Sequence, residues 1–120
     1  MGITTATRDG ILFIQIDDAR LLDEARIQKV EKELDEAIDA STESRVLLDF
    51  SKVQFMSSSM LGKLVKTHKK VKGYKAKMKL ACVSPEIQEV FKITRLDKLF
   101  DIEKDVETAR KNFLKKGLFG

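Results

Sequence analysis

The sequence predicts an α/β fold, a mixed β-sheet in which an N-terminal hairpin joins parallel strands and helices pack on the sheet. Three observations point there. Short apolar runs of strand length recur along the chain. Segments with apolar residues every three or four positions alternate with them. An Asp9-Gly10 pair, a strong tight-turn signal, separates the first two strand-like segments. The resulting order is ββαβαβα(β)α, and alternating strands and helices imply right-handed crossovers. With no internal repeat and no linker, residues 1–120 are expected to form one domain.

Ile3–Thr7 alternates weakly, and Ile11–Ile16 is an apolar run, so the two form the arms of the hairpin. Asp17–Leu22 is expected as a loop. Asp23 is placed to cap a helix whose stripe is Ile27, Val30, Leu34, Ala37 and Ile38, extended to Ala40. Its other positions are mostly acidic, which predicts an acidic outer face. Ser41–Ser44 ends it. Arg45–Phe50 is continuous enough in apolar residues to be a strand buried on both faces.

Ser51–Met56 is expected as a connecting loop. Ser57, Ser58 and Ser59 precede a second helix with Leu61, Leu64, Val65, His68 and Val71 on one stripe and Gly73 as its stop. Lys77–Val83 is a strand. Ser84-Pro85 opens a short helix with Ile87, Val90 and Phe91 inward, and Ile87 stands where a capping box needs Glu or Gln. That helix ends over 94–98. Leu99–Ile102 is one more short strand. Asp105–Lys116 is a last helix with Val106, Ala109, Phe113 and Leu114 inward, followed by a frayed tail over 117–120.

Composition excludes several classes. Hydrophobic residues make up 42% and there is one proline, so disordered and low-complexity chains are excluded. No apolar run is long enough to cross a membrane as a helix, and the N-terminus lacks an export pattern. Cys82 is the one cysteine and His68 the one histidine, which removes disulfide frameworks, CxxC sites and two-histidine metal motifs and makes a reducing cytoplasm the expectation. No metal or cofactor is implied.

Residues 1–60 carry a net charge of −5 and residues 61–120 a net charge of +9. Nine lysines and no acid lie between Asp49 and Glu86. The stretch is either a solvated helix face and turn, or a basic patch facing an acidic partner or a phosphate. Nucleic acid fits poorly, because only Tyr74 is interleaved in the dense part and no arginine lies between Arg45 and Arg95.

The serine cluster is the most informative local feature. One serine at a helix N-terminus needs no reason beyond capping, but three exceed what a cap requires. A surplus hydroxyl there is accessible to a kinase, and a phosphate adds about −1.5 to −2 charges. Enzymatic readings lack their parts. Met56-Ser57-Ser58-Ser59-Met60 is not a nucleophile elbow, and His68 lies nine residues beyond Ser59 on the same helix. That spacing is about 13 Å of rise, too far for a base. Neither Gly-rich phosphate-loop motif occurs. No catalytic residue is therefore assigned.

Two stretches carry a family resemblance. Val46–Gly62, VLLDFSKVQFMSSSMLG, resembles the signature of STAS domains of the anti-sigma factor antagonist family. Its usual form is an apolar strand ending in Asp-Leu-Ser, then x-V-x-F-(M/I)-Asp-Ser-Ser-Gly-Leu-Gly. Ser84–Phe100, SPEIQEVFKITRLDKLF, is similar to the family's short helix and its L-D-x-L-F ending. The resemblance extends from Ile3 to Phe113.

It implies a non-enzymatic protein that binds an anti-sigma factor serine kinase and frees a sigma factor. The phosphorylated serine of the family maps to Ser59, with Ser58 beside it. A serine phosphatase and self-association are further implied partners, without direct nucleic-acid contact or membrane insertion. Related subgroups instead build stressosome-like scaffolds or serve lipid-transport complexes without modification.

The sequence departs from the pattern at Ser57 (family Asp) and Met60 (family Gly), and keeps Leu61 and Gly62. Asp23 resembles a loop acid near the family's kinase-binding face. The expected partner surface is thus Asp23, Ser57, Ser58, Ser59, Met60, Leu61, Gly62, Lys63 and Lys66. Met60 is either an exposed apolar anchor or a core residue. Lys63, Lys66 and Lys70 share one helix face and are expected to be solvated.

Overall fold

The structure, a computed structural model, describes the backbone of residues 2–119 and the side chains of residues 2–115. Its centre is strand β4 (Arg45–Asp49), in a five-stranded sheet of order β1-β2-β4-β6-β7. β1 (Ile3–Arg8) runs antiparallel to β2 (Ile11–Ile16), while β2, β4, β6 (Lys77–Ala81) and β7 (Asp101–Glu103) are mutually parallel. The hairpin turn takes positive φ at both Asp9 (55°) and Gly10 (73°), the backbone that a two-residue turn between twisted strands requires.

Alternation along β4 decides the layers. Val46 and Leu48 face the larger core, with Leu12, Ile14 and Ile16 of β2 beside them. Helices α1 (Glu24–Ala40), α2 (Ser58–Gly73) and α3 (Pro85–Ile93) cover that face. Leu47 points the other way, into a smaller cluster with Ile11, Phe13, Ala81, Ala109 and Phe113 under α4 (Val106–Phe119). Both faces of β4 are buried, as its unbroken apolar run predicts.

Several expectations change. The segments expected as loops each contain a two-residue strand: β3 (Arg20–Leu21) and β5 (Phe55–Met56) pair in parallel as a separate ribbon. No local pattern marks two residues as strand, because their partner lies 35 positions away. Ala40 is exposed, since the stripe of α1 leaves the core after Ile38. Gly73 is the last helical residue of α2 and not its stop. The left-handed position is Lys75 (φ 58°), with Ala76 N–H donating to the Val71 carbonyl and Lys75 N–H to that of Lys72, a Schellman closure. Strand β6 ends at Ala81 because Cys82 takes φ 61°.

Phe100 is core and the last short strand starts one residue later, at Asp101, after a 3-10 turn over Leu96–Lys98. Ser84 caps α3 by accepting from Ile87 N–H, with no capping box. Helix α4 continues through Phe119 where a frayed tail was expected, and Gly120 lies outside the described residues.

One lysine of the basic stretch sits inside. Lys79 on β6 is 2% exposed and donates to Asp101 and Glu103 at 2.6 Å each, with its ammonium over the Phe113 ring. Asn112 of α4 donates to the same Glu103. Burial pushes the Lys79 pKa down, but the hydrogen bonds it donates to the Asp101 and Glu103 carboxylates outweigh it and hold it above the ordinary value. The network ties α4 to the sheet edge.

Lys79→Met should therefore lower unfolding free energy in urea by about 2–4 kcal/mol, because the two carboxylates lose their shared cation. A raised folded-state pKa contributes stability below the unfolded lysine value near ~10.4, and loses it as pH climbs through the raised one. Wild type should thus weaken at strongly alkaline pH more than the variant, as paired melts would record.

Candidate functional site

The serine cluster and Asp23 come together because their strands are neighbours. β2 and β4 are adjacent and parallel, with Gln15 opposite Asp49, so the segments leaving them emerge at the same end of the sheet. Those segments then zip together. Arg20 pairs with Phe55 and Leu21 with Met56, while Ala19 carbonyl accepts from Gln54 N–H (2.8 Å) and Leu21 carbonyl from Ser57 N–H (3.0 Å). Leu21 is fully buried and anchors the ribbon. The helices that follow therefore start side by side.

Each start is capped. The Asp23 carboxylate accepts from Arg26 N–H at 3.2 Å, and Ser57 Oγ accepts from Met60 N–H at 3.4 Å. Ser57 thus performs the capping that the sequence offered as the simplest role for one serine. Ser58 is exposed in the first turn of α2, and Ser59 is partly exposed. Ser59 Oγ donates to the Glu24 carboxylate of α1 at 3.2 Å. Two hydroxyls and two acids therefore share one surface at the paired helix N-termini.

Two expected contact residues are corrected. Met60 is 0% exposed and Leu61 5% exposed, so both belong to the core beneath the site and offer no surface in this structure. Met60 faces inward because it lies on the same side of α2 as Leu64 and Thr67, which are buried too. Gly62 is exposed, and a methyl group added there would meet nothing within 4 Å, so packing does not require glycine at that position.

The lysine face is corrected as well. The acidic residues of α1 do not simply face solvent; several face α2. Glu31 binds Lys63 at 3.3 Å and Lys66 at 3.1 Å, and Lys70 reaches Asp39 at 3.0 Å and Asp35 at 3.7 Å. Tyr74 also donates to Asp39. Burial raises the Glu31 pKa, but hydrogen bonds from Lys66 and Lys63 bring it below the ordinary value. Lys66 stays largely exposed, while Lys63 is three-quarters covered, so Lys63 is not the solvated charge expected. Lys69, Lys72, Lys75 and Lys77 are exposed and form no ion pair among the described residues.

His68 is far along α2 from Ser59, packed edge-on against Phe100 with ring centroids 5.5 Å apart. Burial and the nearby Lys72 lower its pKa, favouring the neutral ring. It is a packing residue, as its place on the apolar stripe predicts.

Sequence reasoning missed three participants. Glu24 has no signal apart from its place beside the cap. Leu22 and Phe55 stand in segments read as loops, yet they are 48% and 46% exposed. With Met56, Ile87 and Val90 they line a groove of about 230 Å³ between the ribbon and α3, and Arg20 lies over the Phe55 ring. Large apolar residues outside any period were the available clue.

Known proteins resemble this chain over most of its length. The STAS domain model matches residues 2–109. BtrV of Bordetella bronchiseptica, provisionally named an anti-sigma factor antagonist, is 26% identical over 113 residues, covering 94% of this chain and 95% of BtrV. An anti-sigma factor antagonist (STAS) domain protein from Planctomyces limnophilus superposes with a TM-score of 0.79 at 24% identity, covering 92% of this chain and 95% of that one. The phosphorylated form of the Bacillus cell-fate determinant SpoIIAA superposes with a TM-score of 0.69 at 16% identity, covering 93% and 98%. At these identities the two superpositions speak for the fold. Strand and helix order agree with the expected α/β arrangement.

Because Met60 is core, Met60→Gly should lower the thermal midpoint sharply. Lost packing and a glycine in the first turn together are worth about 3–5 kcal/mol. A melt unchanged within error would place Met60 outside the core.

Proposed function

Because the chain belongs to the STAS-domain family, we propose that it is a regulatory protein of the anti-sigma factor antagonist type. It binds a serine-kinase anti-sigma factor in the cytoplasm, and phosphorylation at Ser59 switches that binding off. The observation that carries the reading is the surface itself. A partly exposed serine at a helix N-terminus stands beside exposed Ser58, Gly62 and Asp23, with the apolar Leu22 and Phe55 on the adjoining ribbon. BtrV's name and the existence of a phosphorylated SpoIIAA support the same reading.

The contact surface is accordingly Asp23, Ser58, Ser59 and Gly62 with Leu22 and Phe55, while Ser57, Met60 and Leu61 hold it up from below. Apolar contact at Leu22 and Phe55 supplies affinity, since buried apolar area near the centre of an interface dominates binding. Gly62 leaves room for a partner side chain over the second turn of α2. A phosphate on Ser59 places a dianion in that interface, and burying it without a matching cation is costly.

Ser59→Ala should keep the partner and escape regulation. Ser59→Asp should weaken binding by about 2–4 kcal/mol. Gly62→Gln and Phe55→Ser should each lose affinity with little change in melting, because both positions face outward. Titrations with the anti-sigma serine kinase encoded in the same genome, and mass spectrometry after incubation with that kinase and ATP, check the set. Tight binding by every variant, or an unmodified Ser59, would favour an unmodified scaffold or a transport-complex subunit instead.

A further inference from the structure

Resting on the phosphorylation reading above, we infer that Glu24 is the residue through which modification of Ser59 is felt inside the domain. It is a carboxylate that accepts the serine's hydrogen bond and then opposes the phosphate that replaces the hydrogen. The contact joins the first turn of α2 to the first turn of α1 across 35 residues of sequence, at 3.2 Å. The Glu24 carboxylate forms no other hydrogen bond or ion pair among the described residues, so its side-chain position depends on what Ser59 offers.

Phosphorylation inverts that contact. Transfer of the terminal phosphoryl group of ATP to Ser59 Oγ forms the new oxygen–phosphorus bond and breaks the bond to ADP. The hydroxyl proton leaves to a base of the kinase or to solvent. The donor is then gone, and about −1.5 to −2 charges stand within hydrogen-bond range of a carboxylate. The nearest cation on the same helix is Lys63, one turn further on, and it is engaged with Glu31, as is Lys66. The repulsion is relieved when Glu24 swings away or when Lys63 leaves Glu31 for the phosphate, and either response removes a contact between α1 and α2.

Asp23, the cap of α1, is the residue just before Glu24, so a displaced Glu24 backbone carries it along. The switch therefore has two parts. One is the charge placed in the interface. The other is a displaced α1 N-terminus, which alters the acidic half of the contact surface.

Amide hydrogen exchange on the isolated protein tests this without any partner. Ser59→Asp and Ser59→Asn are near-isosteric, the first adding a charge and losing the donor, the second staying neutral and keeping an N–H for Glu24, and each is made with Glu24 intact and with Glu24→Gln. Exchange at residues 26–28, including the Ile27 N–H bonded to the Asp23 carbonyl, should be about three- to tenfold faster in Ser59→Asp than in Ser59→Asn, the size expected for like charges in contact near a surface. With Glu24→Gln the two should exchange alike. Molar salt should likewise close the gap. Equal exchange of Asp and Asn variants in the Glu24 background would overturn the inference, and so would a gap that survives Glu24→Gln. Neither outcome touches partner binding, whereas a kinase that leaves Ser59 unmodified would overturn the functional reading and leave this coupling measurable.

Discussion

The burial of β4 on both faces is the constraint from which the other features follow. A strand whose consecutive residues Val46, Leu47 and Leu48 are all apolar has no side to give to water. It must take a strand on each edge and helices above and below. β2 and β6 fill the edges, α1 to α3 cover one face, and α4 covers the other. Parallel pairing with β2 then sends two chain segments out at one end of the sheet, where open α/β sheets commonly place their working surfaces.

At that end, a very small element has a large effect. Two residues of β3 and two of β5, with a few flanking backbone bonds, hold the chain entering α1 against the chain entering α2. A ribbon this short would not persist alone. It persists because Leu21 and Val53 are buried beneath it and the sheet fixes both ends. The two helix N-termini are thereby set side by side, each with a positive dipole end and each capped by its own side chain. Anionic and hydroxyl groups gather there: Asp23, Glu24, Ser58 and Ser59. The same ribbon turns Leu22 and Phe55 outward.

Charge along the chain finds its meaning only after folding. The negative first half and the positive second half look like an invitation to an external partner. Much of that asymmetry is consumed internally, because α1 packs on α2 with Glu31, Asp35 and Asp39 opposite Lys63, Lys66 and Lys70. Lys79 turns inward to Asp101 and Glu103. Exposed pairs of this kind add little stability individually, on the order of 0.2–1 kcal/mol. They do fix which face of each helix meets the other, and they engage Lys63 and Lys66, the first two lysines of α2 after Ser59, with Glu31.

The sequence by itself determined the fold and pointed to a candidate site. Periodicity marked α1 to α4, the Asp9-Gly10 turn set the hairpin, and the continuous run at 46–50 located the sheet's centre. The motif from Val46 to Gly62 directed attention to the serines. These are local signals, carried by residues within one or two turns of each other, so a linear reading suffices. What only the tertiary structure decided depends on partners far apart in sequence. The β3–β5 ribbon, the Ser59–Glu24 contact and the α1–α2 ion pairs each join residues roughly thirty positions apart, and neither segment alone carries a trace of the other. Whether Met60 lay inside or outside was undecidable for the same reason. A methionine in the first turn of a helix suits both environments, and the rotation of α2 against the sheet, set by Leu64 and Thr67 packing inward, chose burial.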